Sequence, residues 1–370
     1  MKILWLTHRD PLNPKAGGAE RIVEAVSSRL GLFGDEITVF APKFKGAKNE
    51  EEINGYRIIR TGGIISSHLT LPFYLLKENF DIVIADLGHA IPWISPRLMR
   101  KKLVVHFLHL HRRSLPGQVN RFLALLISAI ERCYFLLYPT TKFVTISKTS
   151  LSDLTEKIGI NSKNCTIIRP GVNSELYFSR SKTEQPSLIY FGGMREYKRP
   201  YEVLYVFKRL LRIFPNISLT LVGSGPPMAK MIDISEKLQI SPRINFTGRI
   251  SSEELSRLVG SSWLNIHTSI TEGWGISIIE AASAGTPTVG YDVPGVAESI
   301  ESEMNGIKVK EGSRDALLRA AERILAEPKP WWASSLEVAN KFSWDRAAEE
   351  WHEVLKSEIE TKKHRQHMLC

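Results

Sequence analysis

Short apolar runs recur along this chain at 3–7, 37–41, 57–60, 82–85, 103–107, 143–146 and 166–168, separated in places by helical spacing of apolar residues, as at 19–30 and 121–137. Strand signals alternating with helical ones constrain the fold to parallel sheets covered by helices. A fresh series then begins at 187–191 and continues at 218–222, 244–246, 264–267, 286–290 and 307–309. At 370 residues the chain is too long for one ordinary core and comfortable for two. Two Rossmann-like α/β domains are expected. The seam falls in the polar stretch 173–186, a Ser, Thr, Glu, Gln and Pro segment that fits an interdomain linker, and an amphipathic helix is expected over 342–359.

Composition excludes several classes. Hydrophobic residues at 43% and charged residues at 24% are those of a soluble globular chain rather than a disordered one. Cys133, Cys165 and Cys370 are scattered, odd in number and lack C-x-x-C spacing, so neither a disulfide framework nor a zinc site is implied. The start, MKILWLTHRD, reads as a first strand and not as a signal-peptide core, which points to the cytoplasm. The most apolar window, 122–138, carries Glu131 and Arg132 in its middle and reads as an amphipathic or buried helix. Charge is unevenly divided. Residues 1–170 hold 24 Lys and Arg against 14 Asp and Glu, and the remainder is balanced, so the whole excess of +10 sits in the first half. A basic face there suits anionic lipid headgroups or a diphosphate-bearing acceptor, with a merely solvated surface as the alternative. No nucleic-acid partner is expected.

The chemistry concentrates in 271–299, TEGWGISIIEAASAGTPTVGYDVPGVAES. Glu272 and Glu280 stand eight positions apart around a glycine-rich helix entry. Gly273 and Gly275 let the backbone approach a ligand, and the first N–H groups of a helix from Ile276 lack intrahelical partners, which favours a bound phosphate. Glu272 could face a sugar hydroxyl and Glu280 a ribose diol. The plainer reading is a capped helix with two solvated glutamates. The whole string, with its A-x-G-T-P-T-V strand entry, D-V-P-G loop and Glu298, closely resembles the E-x7-E signature of the retaining, group 1 (family 4) glycosyltransferases. That resemblance extends over most of the chain.

It implies a GT-B fold: 1–172 as an acceptor-binding domain, 173–345 as a nucleotide-sugar-binding domain, and 346–370 as a helix crossing back to the first, with the active site in the intervening cleft. It also implies roles. The Gly17-Gly18 pair of G-G-A-E, preceding a helix, resembles the loop beside the donor diphosphate. A histidine at the end of the 103–107 strand would orient the transferred sugar; His109 is the best match, with His111 and His106 as alternatives, and metal ligation by the three is disfavoured because they do not share one face. Lys198 matches the family lysine that meets the departing diphosphate, whereas the family arginine falls on Gly193. Arg195, or Arg199, is the expected substitute. Gly223 and Gly225 form an isolated G-x-G without a third glycine, weak evidence for phosphate contact. Arg249 and Ile250 resemble the loop whose backbone reads the base, and the backbone of Gly273, Trp274, Gly275 and Ile276 would contact sugar and phosphate.

The expected enzyme is therefore a metal-independent hexosyltransferase using a nucleotide sugar such as a UDP- or GDP-hexose as co-substrate, with no further cofactor. D-x-D, the carboxylate pair of metal-dependent sugar-nucleotide transferases, is absent. Its acceptor is expected to be a lipid-linked oligosaccharide or surface polysaccharide precursor, reached at the inner membrane face through Arg112, Arg113, Arg121 and the 122–138 helix. A soluble metabolite or sugar phosphate is the competing acceptor. Loops 62–71 and 112–120 are expected to vary with it. A glycosidase using both glutamates, a sugar-nucleotide epimerase and a non-catalytic sugar-nucleotide sensor are the rival classes.

Overall fold

The computed structural model describes residues 1–88, 91–115 and 119–367. Two compact units divide it: Met1–Arg112 with Arg121–Pro170 and Trp344–Cys370, and Gly171–Ser343 with Arg113–Asn120. The first unit is built on β1 (Lys2–Leu6), β2 (Glu36–Ala41), β3 (Glu50–Ile53), β4 (Tyr56–Arg60), β5 (Ile82–Asp86), β6 (Leu103–Phe107), β7 (Lys142–Thr145) and β8 (Cys165–Ile167). The second is built on β9 (Ser187–Phe191), β10 (Ser218–Val222), β11 (Ile244–Gly248), β12 (Leu264–His267), β13 (Thr288–Tyr291) and β14 (Gly306–Val309).

Sheet order is β3-β4-β2-β1-β5-β6-β7-β8 in the first unit and β11-β10-β9-β12-β13-β14 in the second. All pairings among the described residues are parallel except β3 with β4. Strand order reverses between β1 and β5, and again between β9 and β12. Ligands of open α/β sheets bind beyond the carboxyl ends of strands at such reversals.

The helices of the first half are α1 (Gly18–Leu30), α2 (Ile64–Lys77), α3 (Ser95–Leu98), α4 (Arg121–Arg132), α5 (Tyr134–Leu137) and α6 (Lys148–Ser152). Those that follow are α7 (Tyr201–Leu210), α8 (Met228–Lys237), α9 (Ser252–Ser261), α10 (Ile276–Ser283), α11 (Val296–Ser299), α12 (Arg314–Ala326), α13 (Pro328–Ala339) and α14 (Trp344–His367).

In the first unit, Leu4, Leu6, Val83, Ala85, Leu103 and Val105 meet Leu71 and Leu75 of α2 and Tyr134 of α5 on one side of the sheet. On the other side α14 packs beside α1. Its Trp351 lies 5.2 Å from the ring of Trp5 and 5.4 Å from that of His106. Polar contacts fix its position at the start of the helix, where Arg29 Nε donates to Asp345 at 2.6 Å and His352 Nδ1 lies 2.8 Å from Asp35.

Four expectations are corrected by the structure. The stretch 62–71 is no loop, since α2 begins at Ile64. The helix expected over 121–137 is two, α4 and α5, separated at Cys133. The polar stretch 173–186 is strapped to the second unit: Lys182 Nζ donates to Ser262 O and Thr286 Oγ1, each at 2.8 Å, and Ser283 Oγ to Tyr177 O at 2.6 Å. Finally, β3 went unrecognised because Glu50, Glu51 and Glu52 mask its pattern. The signal was the following Asn54-Gly55, whose φ values of 46° and 81° make the tight hairpin turn that pairs β3 with β4.

Replacing Trp351 by Ala should remove the main apolar anchor of α14. The expected loss is about 3–5 kcal/mol of stability for a fully buried Trp, read as a lower urea midpoint together with easier proteolysis near α14. An unchanged midpoint would mean that α14 is held by its polar contacts alone.

Candidate active site

The strand reversal of the second sheet brings together the loops that follow β9 and β12. The β9 loop carries Gly192 to Lys198, and Thr268 to Gly275 follow β12. Lys198 Nζ lies 2.8 Å from Glu272 Oε1, so one ion pair joins the two loops. Ser269 Oγ donates to the same carboxylate oxygen at 2.8 Å, and His267 Nε2 stands 3.6 Å from it. Backbone contacts fix both partners. Thr268 Oγ1 donates to the carbonyls of Lys198 and Arg199, Ile270 N–H to Tyr197 O, and Glu272 N–H to Pro294 O.

Burial works against charge on both partners, yet each holds the other ionised. Glu272 is lowered to about 2 because the Lys198 ammonium outweighs the desolvation of its carboxylate. The same carboxylate keeps the lysine well above its ordinary range. Burial pushes His267 down to about 4, leaving the imidazole neutral at pH 7. His267, Ser269 and Thr268 were missed in the sequence, although they fall in the run H-T-S-I-T-E that ends the β12 strand.

Gly275, at φ 82°, turns the chain from Glu272 into α10, whose first amide groups start at Ile276. Gly273 and Trp274 are buried beside this turn, the Trp274 ring lying edge-on to Phe342 at 5.3 Å. Glu280, in the second turn of α10, is also buried. Gly223 and Gly225 have a packing reason: a Cβ at either would overlap the carbonyl oxygens of Gly192 and Met194 respectively. Gly192 N–H donates to Val222 O and Met194 N–H to Ser224 O, so the loop bearing Lys198 lies against the β10 loop. Arg249 is exposed, its Nε donating to Ser224 Oγ at 3.1 Å, and Ile250 packs against a small apolar cluster with Val222 and Val259. Arg195 is exposed at the start of the turn containing Lys198, whereas Arg199 faces Glu311 at 3.6 Å.

In the first unit, Gly17 caps α1 and its N–H donates to Glu20 Oε2 at 2.6 Å, so that amide is already engaged, while Gly18 opens the helix. Burial raises the Glu20 carboxyl despite that bond and Arg9 nearby. The three histidines in and after β6 divide sharply. His106 is a core residue between Trp5 and Trp351, pushed down to about 3 by burial. His111 bridges Glu131 Oε1 and Gly88 O, each at 3.0 Å. His109 remains half-buried, its ring 5.0 Å from that of His111. At the end of β5, burial pushes Asp86 up to about 7 against the pull of the Gly88 N–H. Arg112 turns to the buried Glu131 at 3.6 Å rather than outward, Arg121 is exposed, and the side chain of Arg113 lies outside the described residues.

The depressed Glu272 has a signed consequence. Its stabilisation should be complete above its ordinary value of 4.5 and be lost as pH falls toward about 2. The expected contribution at neutral pH is on the order of 2–3 kcal/mol. Urea titrations of wild type and Glu272→Gln between neutral pH and that acid limit should diverge most at neutral pH and converge in acid; parallel curves would mean that the pair adds nothing.

The arrangement is a largely buried lysine–glutamate pair next to a helix N-terminus, at the place where α/β sheets hold ligands. Comparison with known proteins agrees. The chain matches Glycosyl transferases group 1 over residues 175–343 and Glycosyltransferase Family 4 over residues 16–176. It is 24% identical to an uncharacterized glycosyltransferase of Methanocaldococcus jannaschii, over 97% of this chain and 99% of that protein. It is 22% identical to a phosphatidylinositol N-acetylglucosaminyltransferase component of Arabidopsis thaliana, over 88% of this chain and 75% of that one. In fold it is similar to a sucrose-phosphate synthase from Thermosynechococcus elongatus, with a TM-score of 0.81 at 19% identity, covering 97% and 99% of the two chains. Anabaena HepE, in complex with UDP and glucose, gives a TM-score of 0.76 at 16% identity over 96% and 100%. Two GT-B-type parallel-sheet units and family matches that together run from 16 to 343 place this chain in the group 1, family 4 glycosyltransferases.

Proposed function

We propose that this glycosyltransferase moves a hexosyl group from a nucleoside-diphosphate sugar to a hydroxyl of a glycan acceptor, with retention of anomeric configuration and without a metal ion. The Lys198–Glu272 pair at the β9/β12 reversal carries the reading. A departing diphosphate gathers negative charge, and a fixed ammonium beside helix N–H groups stabilises it without any reorganisation at the moment of reaction. Lys198, held charged by Glu272, together with the amides opening α10, offers that environment. Arg195, exposed on the same turn, adds a second cation. In this reading Glu272 and the backbone from Gly273 to Ile276 hold the sugar hydroxyls and phosphate, Glu280 holds the ribose, Arg249 and Ile250 border the base, and Gly223 and Gly225 support the lysine loop. In the first unit, resemblance alone assigns His109, Gly17 and Gly18 to the transferred sugar and diphosphate, and the Gly17 amide is already given to Glu20.

The donor reading draws support from HepE, whose structures hold UDP and UDP-glucose. For the acceptor, a lipid-linked oligosaccharide or surface polysaccharide precursor at the inner membrane face fits the cationic first half. The Arabidopsis relative, named for phosphatidylinositol, favours the same choice. A soluble sugar phosphate is the second reading, favoured by the fold similarity to sucrose-phosphate synthase.

Thermal-shift binding of a panel of nucleotides and nucleotide sugars, with chelator present, tests the donor site. One sugar nucleotide should stabilise the wild type, and Glu280→Ala should lose that stabilisation. Lys198→Met should keep most donor affinity and lower transfer by about 10²–10³-fold, the effect of removing one preorganised charge partner from the leaving group. Stabilisation by no nucleotide sugar would overturn the reading.

A further inference from the structure

The helical layer formed by α2 to α5 covers one side of the first sheet and turns an unusual face outward. Along α2, Leu71 and Leu75 enter the core, while Ile65, Leu69, Phe73 and Leu76 are 80, 69, 74 and 75% exposed. Their spacing of four, four and three places them on one side of the helix. The patch continues onto α3, which packs against α2 and exposes Leu98 at 76%. It continues again onto α5, whose Leu136 and Leu137 carbonyls accept from Arg97 of α3, and onto α4, which runs into α5 and exposes Leu125 at 71%. The opposite layer of the same unit behaves as a soluble surface should. Outward positions of α1 and α14 include Arg21, Asp345, Arg346, Glu349, Glu353 and Lys356.

Charge around the apolar face is mostly positive. Lys77, Arg97, Arg100, Arg121 and Arg132 are exposed on or beside these four helices. The acid within α2 to α5 is Glu131, which is buried and accepts from the His111 backbone N–H at 2.7 Å, and Glu78, just past α2, is half-buried and paired with Arg57 at 3.2 Å. Pairing of two copies through this face would set cation against cation, whereas an anionic bilayer takes up the exposed apolar side chains and neutralises the ring of charge together. No described helix is long and apolar enough to cross a membrane, so the geometry is that of a face lying on one.

We propose that the α2–α5 face docks this protein onto a bilayer of anionic lipid, with Ile65, Leu69, Phe73 and Leu76 entering the headgroup boundary and the surrounding cations meeting the headgroups. This gives the membrane part of the proposed function its contact surface and rests on that part alone. It also moves the contact away from Arg112, which is committed to Glu131.

Vesicle flotation of the full chain tests it, using pure phosphatidylcholine and phosphatidylcholine mixed with phosphatidylglycerol. Wild type should float with the anionic vesicles only, and less so as salt rises. The double variant Leu69→Asp, Phe73→Asp should lose about tenfold or more of that binding, because it withdraws two large apolar groups and adds two like charges. Leu32→Asp, at an apolar position 83% exposed outside the face, should float as wild type. Both variants should keep the thermal shift with donor, which separates failure of this inference from failure of the transferase reading. No flotation of the wild type, equal flotation of the double variant, or a wild-type dimer that the double variant dissociates without any vesicle binding, would each overturn it.

Discussion

A largely buried ion pair, Lys198 with Glu272, ties the loop after β9 to the loop after β12. Two desolvated charges are costly apart and tolerable only with good geometry and additional hydrogen bonds. Ser269 supplies one such bond, and Thr268 fixes the backbone of the lysine turn. Removing either charge strands the other, so the two loops are constrained as one body. An arrangement of this kind contributes little to stability compared with an apolar core of the same volume. What it does provide is a positive charge of fixed position next to the amides that open α10.

That placement follows from topology. A parallel sheet whose order reverses between β9 and β12 sends both loops out at its carboxyl end, where the ion pair and the Ile270 N–H to Tyr197 O bond join them. The first sheet reverses between β1 and β5, and there too polar groups collect in an apolar setting, with Asp86 raised by burial and His106 held neutral. The two units repeat one solution with different side chains. One presents a fixed cation, the other a set of groups whose charge is suppressed.

Much of this was legible in the sequence because parallel strands buried on both faces are short apolar runs, and thirteen of them stand out from the residues alone. Glu272 and Lys198 were singled out for a different reason, since the strings around them resemble the family's signatures, and the structure brings the two side chains to 2.8 Å. What could not be read depended on contacts distant in sequence. The Lys182 strap hides in a polar stretch because its partners, Ser262 and Thr286, are far along the chain. The division of labour among His106, His109 and His111 depends on Trp351 and Glu131, which no local pattern connects to them. β3 was lost because its hairpin turn was overlooked beneath three glutamates, and α2 because its apolar residues point both inward and outward, blurring the helical period.

The interlock of Gly223 and Gly225 with the backbone of Gly192 and Met194 has a bearing on recognition. Loops that shape themselves around a ligand lose their conformational freedom at the moment of association, which weakens affinity. Here the lysine turn is pressed backbone to backbone against its neighbour, so its chain entropy is lost during folding instead. Discrimination among ligands at this site should then arise from the shape of a rigid receptor, and a bulkier residue at either glycine would blunt it by loosening the mould.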